Sequence, residues 1–575
     1  MNAESFRAHL QQLLRSSSHR TLLRVVTSRT GNSVVEMSGA EVLERSLKLA
    51  DSYCDAPESG VVLLLLPHCP ELFLLHIGLI LRGRLPAILA WPTSRVNPLK
   101  YQVNLSHQLQ GLPATQLITL PKLADSLDRS LPYRVTECPI ANGEEIERSF
   151  VAALDIPAVQ KRRILEPAAD TPEDALFLQF SGGTTGAQKC VVVSAPMLAN
   201  QLRRLSKTLD FSDRDCVVSW LPMYHDMGLI ACLWLPLWNG APSVQLAATD
   251  WLMDPDMLFR LMSEFRGTFC WLPNFAFSYL AEHQARMHSQ VDLSHVRAWI
   301  NCSEPVRGKS FRAFTDAFSR IGVRRNQCQS SYAMAENVFA VSQSPLDREP
   351  KTVARGAIAG LEPSTRQVAY EMLDDTYVSS GQILDGTEVR IRDTNGNLRV
   401  NRAAGSIEIR GESLFYGYWG NEGFSRRSMT VDGWYDSGDY GFMDGEELYV
   451  IGRKKDIIIV SGKNLFPEDI EMLTKSIEGV YPGRAVAFGV DDPQMGTESL
   501  AVVVEMRGAF DPLKAREIER EIHRLVQAAL GVFPHYVWVM PERWIIKSTA
   551  GKISRRENRQ RFLTELADKE LPAPV

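Results

Sequence analysis

Residues 176–194 read LFLQFSGGTTGAQKCVVVS. Two apolar runs, 176–180 and 190–193, bracket nine residues dense in glycine and hydroxyl groups and closed by Lys189. Each flank is short, aromatic or β-branched, and bounded by turn residues, which predicts strand, loop, strand. Gly182, Gly183 and Gly186 allow successive backbone N–H groups to turn inward. Ser181, Thr184 and Thr185 add hydroxyl donors, and Lys189 adds a point charge. The loop reads as a cradle for a polyphosphate, with a plain glycine-rich turn as the bland alternative. A Walker loop needs Gly-Lys directly before Ser or Thr, whereas Gly186 and Lys189 are three apart and a strand follows. The chain's one GKS, 308–310, has Ser303 where the first Walker glycine would stand.

At 575 residues the chain exceeds a single core, and length alone suggests about three or four structural units. It is 45% apolar and 23% charged with a net charge of -5, so no basic excess points to nucleic acid and no acidic tail to disorder. Nine cysteines are scattered singly with no CxxC pair, as expected of reduced thiols in a cytoplasmic protein without structural zinc. Residues 5–35 carry Arg and Ser but no acid, a composition shared with transit peptides. Phe6, Leu10, Leu13 and Leu14 nevertheless fit one face of a first domain helix, the preferred reading. The most apolar region, 72–91, is interrupted by His76, Arg82, Arg84 and Pro86, so a buried helix followed by a strand is expected and not a membrane span.

Working outward, 61–66 and 85–90 read as strands around a helix at 71–82, a parallel α/β unit. A strand is expected at 116–120, a helix at 197–209 and a strand at 215–220. The last leads to SWLPMYHDMGL, where His225 stands at a strand exit, a place more often structural than catalytic. Strand 269–272 enters Pro273, Asn274 and Phe275; Trp299 and Ile300 enter NCSEPV; Gln329 enters SSYAMAENV. In open α/β sheets ligands bind beyond the carboxyl ends of the strands, so these ends should converge on one crevice. Glu336 is then a carboxylate suited to Mg²⁺, which commonly binds through one or two carboxylates plus substrate phosphates. A helix N-terminal acid is the alternative.

From Thr387 the pattern changes to short alternating strands, EVRIRD and SIEIRG, a small β-rich subdomain. Asp439, between Gly438 and Gly441, reads as an exposed, acceptor-only carboxylate suited to a pair of ribose hydroxyls, or as a plain turn aspartate. Residues 452–456 form the most plausible domain boundary. Strands at 485–490 and 500–505 and a helix at 512–530 follow. Lys552, beside Gly551 in IIKSTAGKISRR, sits on a loop of this second domain.

Taken together, SGGTTGAQK, LPMYHDMGL, SEP, SYAMAE, GWYDSGD, GRKKDIIIVSGKN with PEDIE, and KSTAGKISR resemble, in order and spacing, the motifs of the adenylate-forming enzymes. The resemblance implies an α/β fold. A large N-terminal domain, 1–453, would hold two parallel-type α/β sheets and the β-rich subdomain, and a small mobile α+β domain, 454–575, would carry the catalytic lysine. It implies ATP and Mg²⁺, and two half-reactions: a carboxylate attacks the α-phosphate, then a thiol takes the acyl group. By position, Ser181 to Lys189 would hold the β- and γ-phosphates and Glu336 the metal. Ser303, Glu304 and Tyr332 would frame the adenine, and Asp439 and Arg453 the ribose. Lys552 would meet the reacting oxygens, Lys455 matches the hinge, and His225 would line the acyl and pyrophosphate passage. Met223, Tyr224, Asn274 and Phe275 are the acyl-pocket candidates, and Trp271 and Phe277 could join them, but a core role is the better reading for at least half of the apolar and aromatic ones. Cys302 and Ala333 stand where glycine is frequent, and their Cβ atoms narrow the nucleotide slot.

YHDMGL, PNFAF, SEPV and YAMAE look most like fatty acyl-AMP ligases. The segment between Glu336 and Gly381 resembles the insertion that in those ligases restrains the second domain and disfavours CoA. The acceptor implied is the phosphopantetheine thiol of an acyl carrier protein acting in trans, with CoA as the runner-up. A silent acyl or nucleotide binder is the reading from another class, and retention of Lys189, Glu336, Asp439 and Lys552 argues against it.

Overall fold

The computed structural model describes the chain apart from residues 29–30, 32, 58–59, 93–100, 102–104, 106–107, 109–113, 129–133, 141–173, 181–188, 288–290, 360, 362–375, 421, 461–462, 493–496, 548–551 and 569–575. Val61–Leu65 is buried at every position, as the run of five branched residues requires of a strand covered on both faces. It lies parallel to Leu85–Ile88 and Ala114–Thr119. Between the first two strands runs the helix Pro70–Leu81, whose proline sits in the first turn, where no N–H is needed. These strands belong to a six-stranded sheet ordered Arg134–Glu137, Ala114–Thr119, Val61–Leu65, Leu85–Ile88, Ala175–Phe180, Cys190–Ser194. The last two strands are antiparallel, with Phe180 opposite Cys190, so both ends of the glycine-rich loop leave one sheet edge.

A second sheet of thirteen strands contains a parallel block ordered Thr21–Val26, Ser243–Gln245, Val217–Ser219, Phe269–Leu272, Ala298–Asn301, Cys328–Ala333. Beyond it the sheet turns antiparallel through Ala340–Gln343 and Gln382–Ile383. The alternating strands expected after Thr387 are present at Thr387–Arg392, Gly405–Gly411, Tyr435–Asp444 and Glu447–Arg453, and they extend this sheet. The N-terminal helix Ala3–Ser16 is capped by Asn2, which accepts from Ser5 N–H, and buries Phe6, Leu10 and Leu14. Leu13 is half-buried. Phe6 packs on Trp234 and Trp238, so this face is part of the main core.

After the turn Lys454–Asp456 the chain builds a smaller sheet, Val480–Asp492, Thr497–Met506 and Tyr536–Met540. Its side chains alternate between two cores, Ala485, Ala487, Val502 and Val504 to one side and Val486, Phe488, Ala501 and Val503 to the other. The helix Pro512–Leu530 covers the first face. Asp511 caps its start by accepting from Leu513 N–H, and Gly531 ends it at φ +65, where a side chain would be strained. This small lobe meets the rest through Phe466, packed with Val353, Ile358, Phe442 and Tyr449. Beside that contact the buried Asp469 receives Arg355 at 2.6 and 3.0 Å and Arg307 at 3.2 Å. Among the described residues no helix is long and apolar enough to cross a membrane.

Candidate active site

Phe269–Leu272, Ala298–Asn301 and Cys328–Ala333 are neighbouring parallel strands, so Asn274, Ser303, Glu304 and Glu336 all follow carboxyl ends on one side of the sheet. Ser181, Gly182, Gly183, Thr184, Thr185 and Gly186 lie outside the described residues. Lys189 is described, and its Nζ sits 3.4 Å from the centre of the Phe424 ring and 4.7 Å from that of Tyr418. Tyr418 donates to Glu336 Oε1 at 2.6 Å. It reaches that place because Trp419 N–H bonds Cys190 O and Phe415 N–H bonds Glu336 O, lacing loop 415–419 between the hairpin and the strand end. Burial lowers the Lys189 ammonium to about 8, with Lys455 and Arg453 adding to the effect and Glu336 opposing it. Residues from four distant parts of the chain thus share one electrostatic neighbourhood. Glu336 itself lies in the short turn Ala335–Asn337 and not at the start of a full helix.

Asp439 departs from expectation: it is 5% exposed, not a solvent-facing turn residue. Gly438 supplies the turn at φ +71, but Asp439 pairs in register with Arg453 across the antiparallel hairpin. Its Oδ1 lies 3.0 Å from Arg453 Nε, and its Oδ2 accepts from Tyr332 O–H at 2.5 Å. Burial, and then Asp439, pushes the Tyr332 phenol well above its ordinary range, so it remains a donor. A carboxylate with both oxygens engaged, one on a base and one on a phenol, is held rigidly.

Lys552 crosses from the small lobe to the main one: its Nζ donates to Ser303 O at 2.9 Å. Ser303 adopts φ +71, uncommon for serine. On the near side, His225 Nδ1 is 2.6 Å from Asp226 Oδ1. Burial pushes the Asp226 carboxyl up, but His225 and Lys552 together outweigh it and hold it below its ordinary range. The π-helical segment Met227–Trp234 starts directly after this pair, a distortion frequent at functional sites. Gly228 makes the turn possible, since a Cβ there would meet Pro222 O at 2.4 Å.

The remaining expected residues divide. Glu304 accepts from Phe275 N–H at 2.9 Å, fixing the start of the helix Asn274–Glu282. Asn274 braces two elements, accepting from Asn301 Nδ2 and Arg307 N–H. Met223 is buried, Tyr224 is half-buried, and Phe275 is 42% exposed against Trp220 and Trp251. Trp271 and Phe277 are wholly buried and belong to the core. Lys455 lies in the turn Lys454–Asp456 between the lobes.

The model of the family described as AMP-binding enzyme matches residues 20–419. The chain belongs to the AMP-binding enzyme family. It is accordingly an ATP-dependent, adenylate-forming ligase. It is 33% identical to a putative ligase of Mycobacterium tuberculosis over 67% of this chain and 71% of that protein. It is 28% identical to a long-chain-fatty-acid–AMP ligase of Mycobacterium marinum, covering 72% and 73%. In fold it is similar to one of the fatty acyl-adenylate ligases of E. coli and L. pneumophila, with a TM-score of 0.81, 22% identity, and 97% and 98% coverage. Within this AMP-binding enzyme, sequence reasoning missed Tyr418 and Phe424. They lie in an aperiodic aromatic run, LFYGYWGNEGF, whose one readable signal was its density of rings.

Proposed function

We propose that this enzyme activates a fatty or related carboxylic acid and delivers it to the phosphopantetheine thiol of a carrier protein supplied by another chain. In the first step a carboxylate oxygen bonds to the α-phosphorus of ATP and the bond to the β-phosphate breaks, releasing pyrophosphate. In the second the thiol loses its proton, its sulfur bonds to the acyl carbon, and AMP leaves. A carboxylate is a poor acylating agent, and the chemistry depends mainly on positioning and charge neutralisation.

One observation carries the reading: Lys552 of the small lobe stands on the Ser303 carbonyl, at the strand end where the reacting oxygens would meet. A cation preorganised there stabilises charge that develops during transfer. Asp439 would take the ribose hydroxyls, Lys189 and the 181–188 loop the β- and γ-phosphates, and Tyr332 the adenine side. Glu336 fits a Mg²⁺ ion, since a hard cation favours an oxygen donor flanked by phosphate oxygens, and the ion would supply charge neutralisation. The domains would divide at 453/454 with Lys455 as hinge. A cytoplasmic setting is supported by nine cysteines that are all free thiols. A carrier protein is favoured over CoA because Arg355, between Glu336 and Gly381, grips Asp469 and holds the small lobe with Lys552 docked.

The test is pyrophosphate release across fatty, aryl and amino acids, followed by thioester detection with carrier protein against CoA. Release with a fatty acid and thioester on the carrier is expected. No acid-dependent release would overturn the activity, and thioester on CoA alone would overturn the acceptor.

A further inference from the structure

The loop that carries Lys552 is held at its base by the first turn of the last helix, Arg555–Asp568. Asn558 there is completely buried. Its Oδ1 accepts from Ile546 N–H at 2.8 Å, and its Nδ2 donates to Ile546 O at 2.9 Å and to Ser554 O at 2.8 Å. Ser554 N–H closes on Ile546 O at 3.1 Å, and Lys547 pairs antiparallel with Ile553. One amide therefore spends both of its ends on the two arms of the lysine loop. Removing it takes the acceptor from Ile546 N–H and one of two donors from each carbonyl, and an N–H left unpaired there costs more than its bond contributes.

Three residues earlier, Arg555 gathers carboxylates from two other places. Its guanidinium lies 2.9 Å from both oxygens of Glu471, 2.9 Å from Glu468 Oε1 and 3.4 Å from Asp456 Oδ2. Glu468 and Glu471 belong to the helix Pro467–Thr474, and Asp456 ends the turn that holds Lys455. The loop base and the turn between the lobes are thus one hydrogen-bonded body.

We infer that Asn558 and Arg555 are positioning residues for Lys552, the amide holding Ile546 and Ser554 together on either side of it and the guanidinium holding the start of the last helix against the turn 454–456. This rests on the adenylation role of Lys552 above. Both side chains act through the loop, and their hydrogen bonds and ion pairs go to the small lobe and the turn before it. A solvated face is what the charged run RRENRQR would otherwise suggest.

The experiment measures acid-dependent ATP–pyrophosphate exchange in the full chain, using the acid most active in the panel above. Asn558→Asp keeps the size of the side chain and its acceptor for Ile546 N–H but opposes a carboxylate to two carbonyls. It is expected to lower kcat at least thirtyfold with the KM for ATP within threefold. Arg555→Gln is expected to do the same, and Arg555→Lys to recover at least a third of the lost rate. Full activity in Asn558→Asp, or a fall in kcat matched by loss of folded protein in thermal melting and in nucleotide titration, overturns the inference. Should Asn558→Asp not fold, the Arg555 pair decides: equal activity of Arg555→Gln and wild type, or no recovery in Arg555→Lys, overturns it. Lys552→Ala is the separate control, since unchanged exchange in that variant sinks the adenylation role itself.

Discussion

Lys189 leans on an aromatic ring while carrying a proton it holds less firmly than an ordinary lysine, and this gives it a titration within reach of experiment. Its folded value of about 8 lies below that of a free lysine, so the cation is complete below that pH and is lost as pH rises through it. With kcat/KM reporting the free enzyme, the value for ATP is expected to decline above about pH 8. Lys189→Arg should abolish that alkaline limb, and a limb that persists unchanged would assign it to another group. Lys552→Ala is expected to slow adenylation by about 3 to 4 kcal/mol, the loss typical of a preorganised donor, with ATP binding weakened much less. Short motifs of distinctive spacing singled out Lys189, Glu336 and Lys552, and the structure sets Lys189 and Glu336 on either side of Tyr418 and Lys552 on the Ser303 carbonyl. Asp439 was misjudged as exposed for a physical reason: two flanking glycines describe the local turn, whereas its burial is set by Tyr332 and Arg453, met only through strand pairing.

Strands and helices were legible wherever one face or both had to be apolar. Val61–Leu65, Pro70–Leu81, Phe269–Leu272 and Pro512–Leu530 fall within a residue of their expected bounds. Their burial stabilises each by about 1.5 to 3 kcal/mol for every fully covered Val, Leu or Ile. Segments held by hydrogen bonds to the backbone of distant residues left no such trace, and the bracket around Ile546 and the lacing at 415–419 are both of that kind. The turn Lys454–Asp456 belongs to this scale as well. Lys455→Pro restricts its backbone, and if the lobes rotate about it between half-reactions, adenylate formation should survive while thioester formation falls. Parallel assays of pyrophosphate release and thioester would show it, and equal loss of both would dismiss the turn as a pivot.

Across the whole molecule, the small lobe is docked by an apolar contact and by one buried carboxylate facing two arginines. Burial alone would raise Asp469, but Arg355 and Arg307 hold it down to about 2, so the contact stays charged across any physiological range and weakens only as pH falls toward that value. Asp469→Ala leaves both guanidinium groups without this partner, at a cost of about 3 to 5 kcal/mol. Limited proteolysis near 454–456 is expected to accelerate in that variant, and unchanged cleavage would show that the apolar contact suffices. A different consequence follows from the continuity of the thirteen-stranded sheet. Tyr332 on one side and Asp439 with Arg453 on the other are joined by an unbroken ladder through Ala340–Gln343 and Gln382–Ile383. Their spacing is a matter of counting residues, and the two-residue bend at Gly445 and Glu446 keeps that count. Deleting Glu446 would slide one ribbon of the hairpin past the other and turn the side chains of Glu447–Arg453 to the opposite face of the sheet. Length changes in that bend should therefore be far rarer among functional variants than replacements of the residues in it.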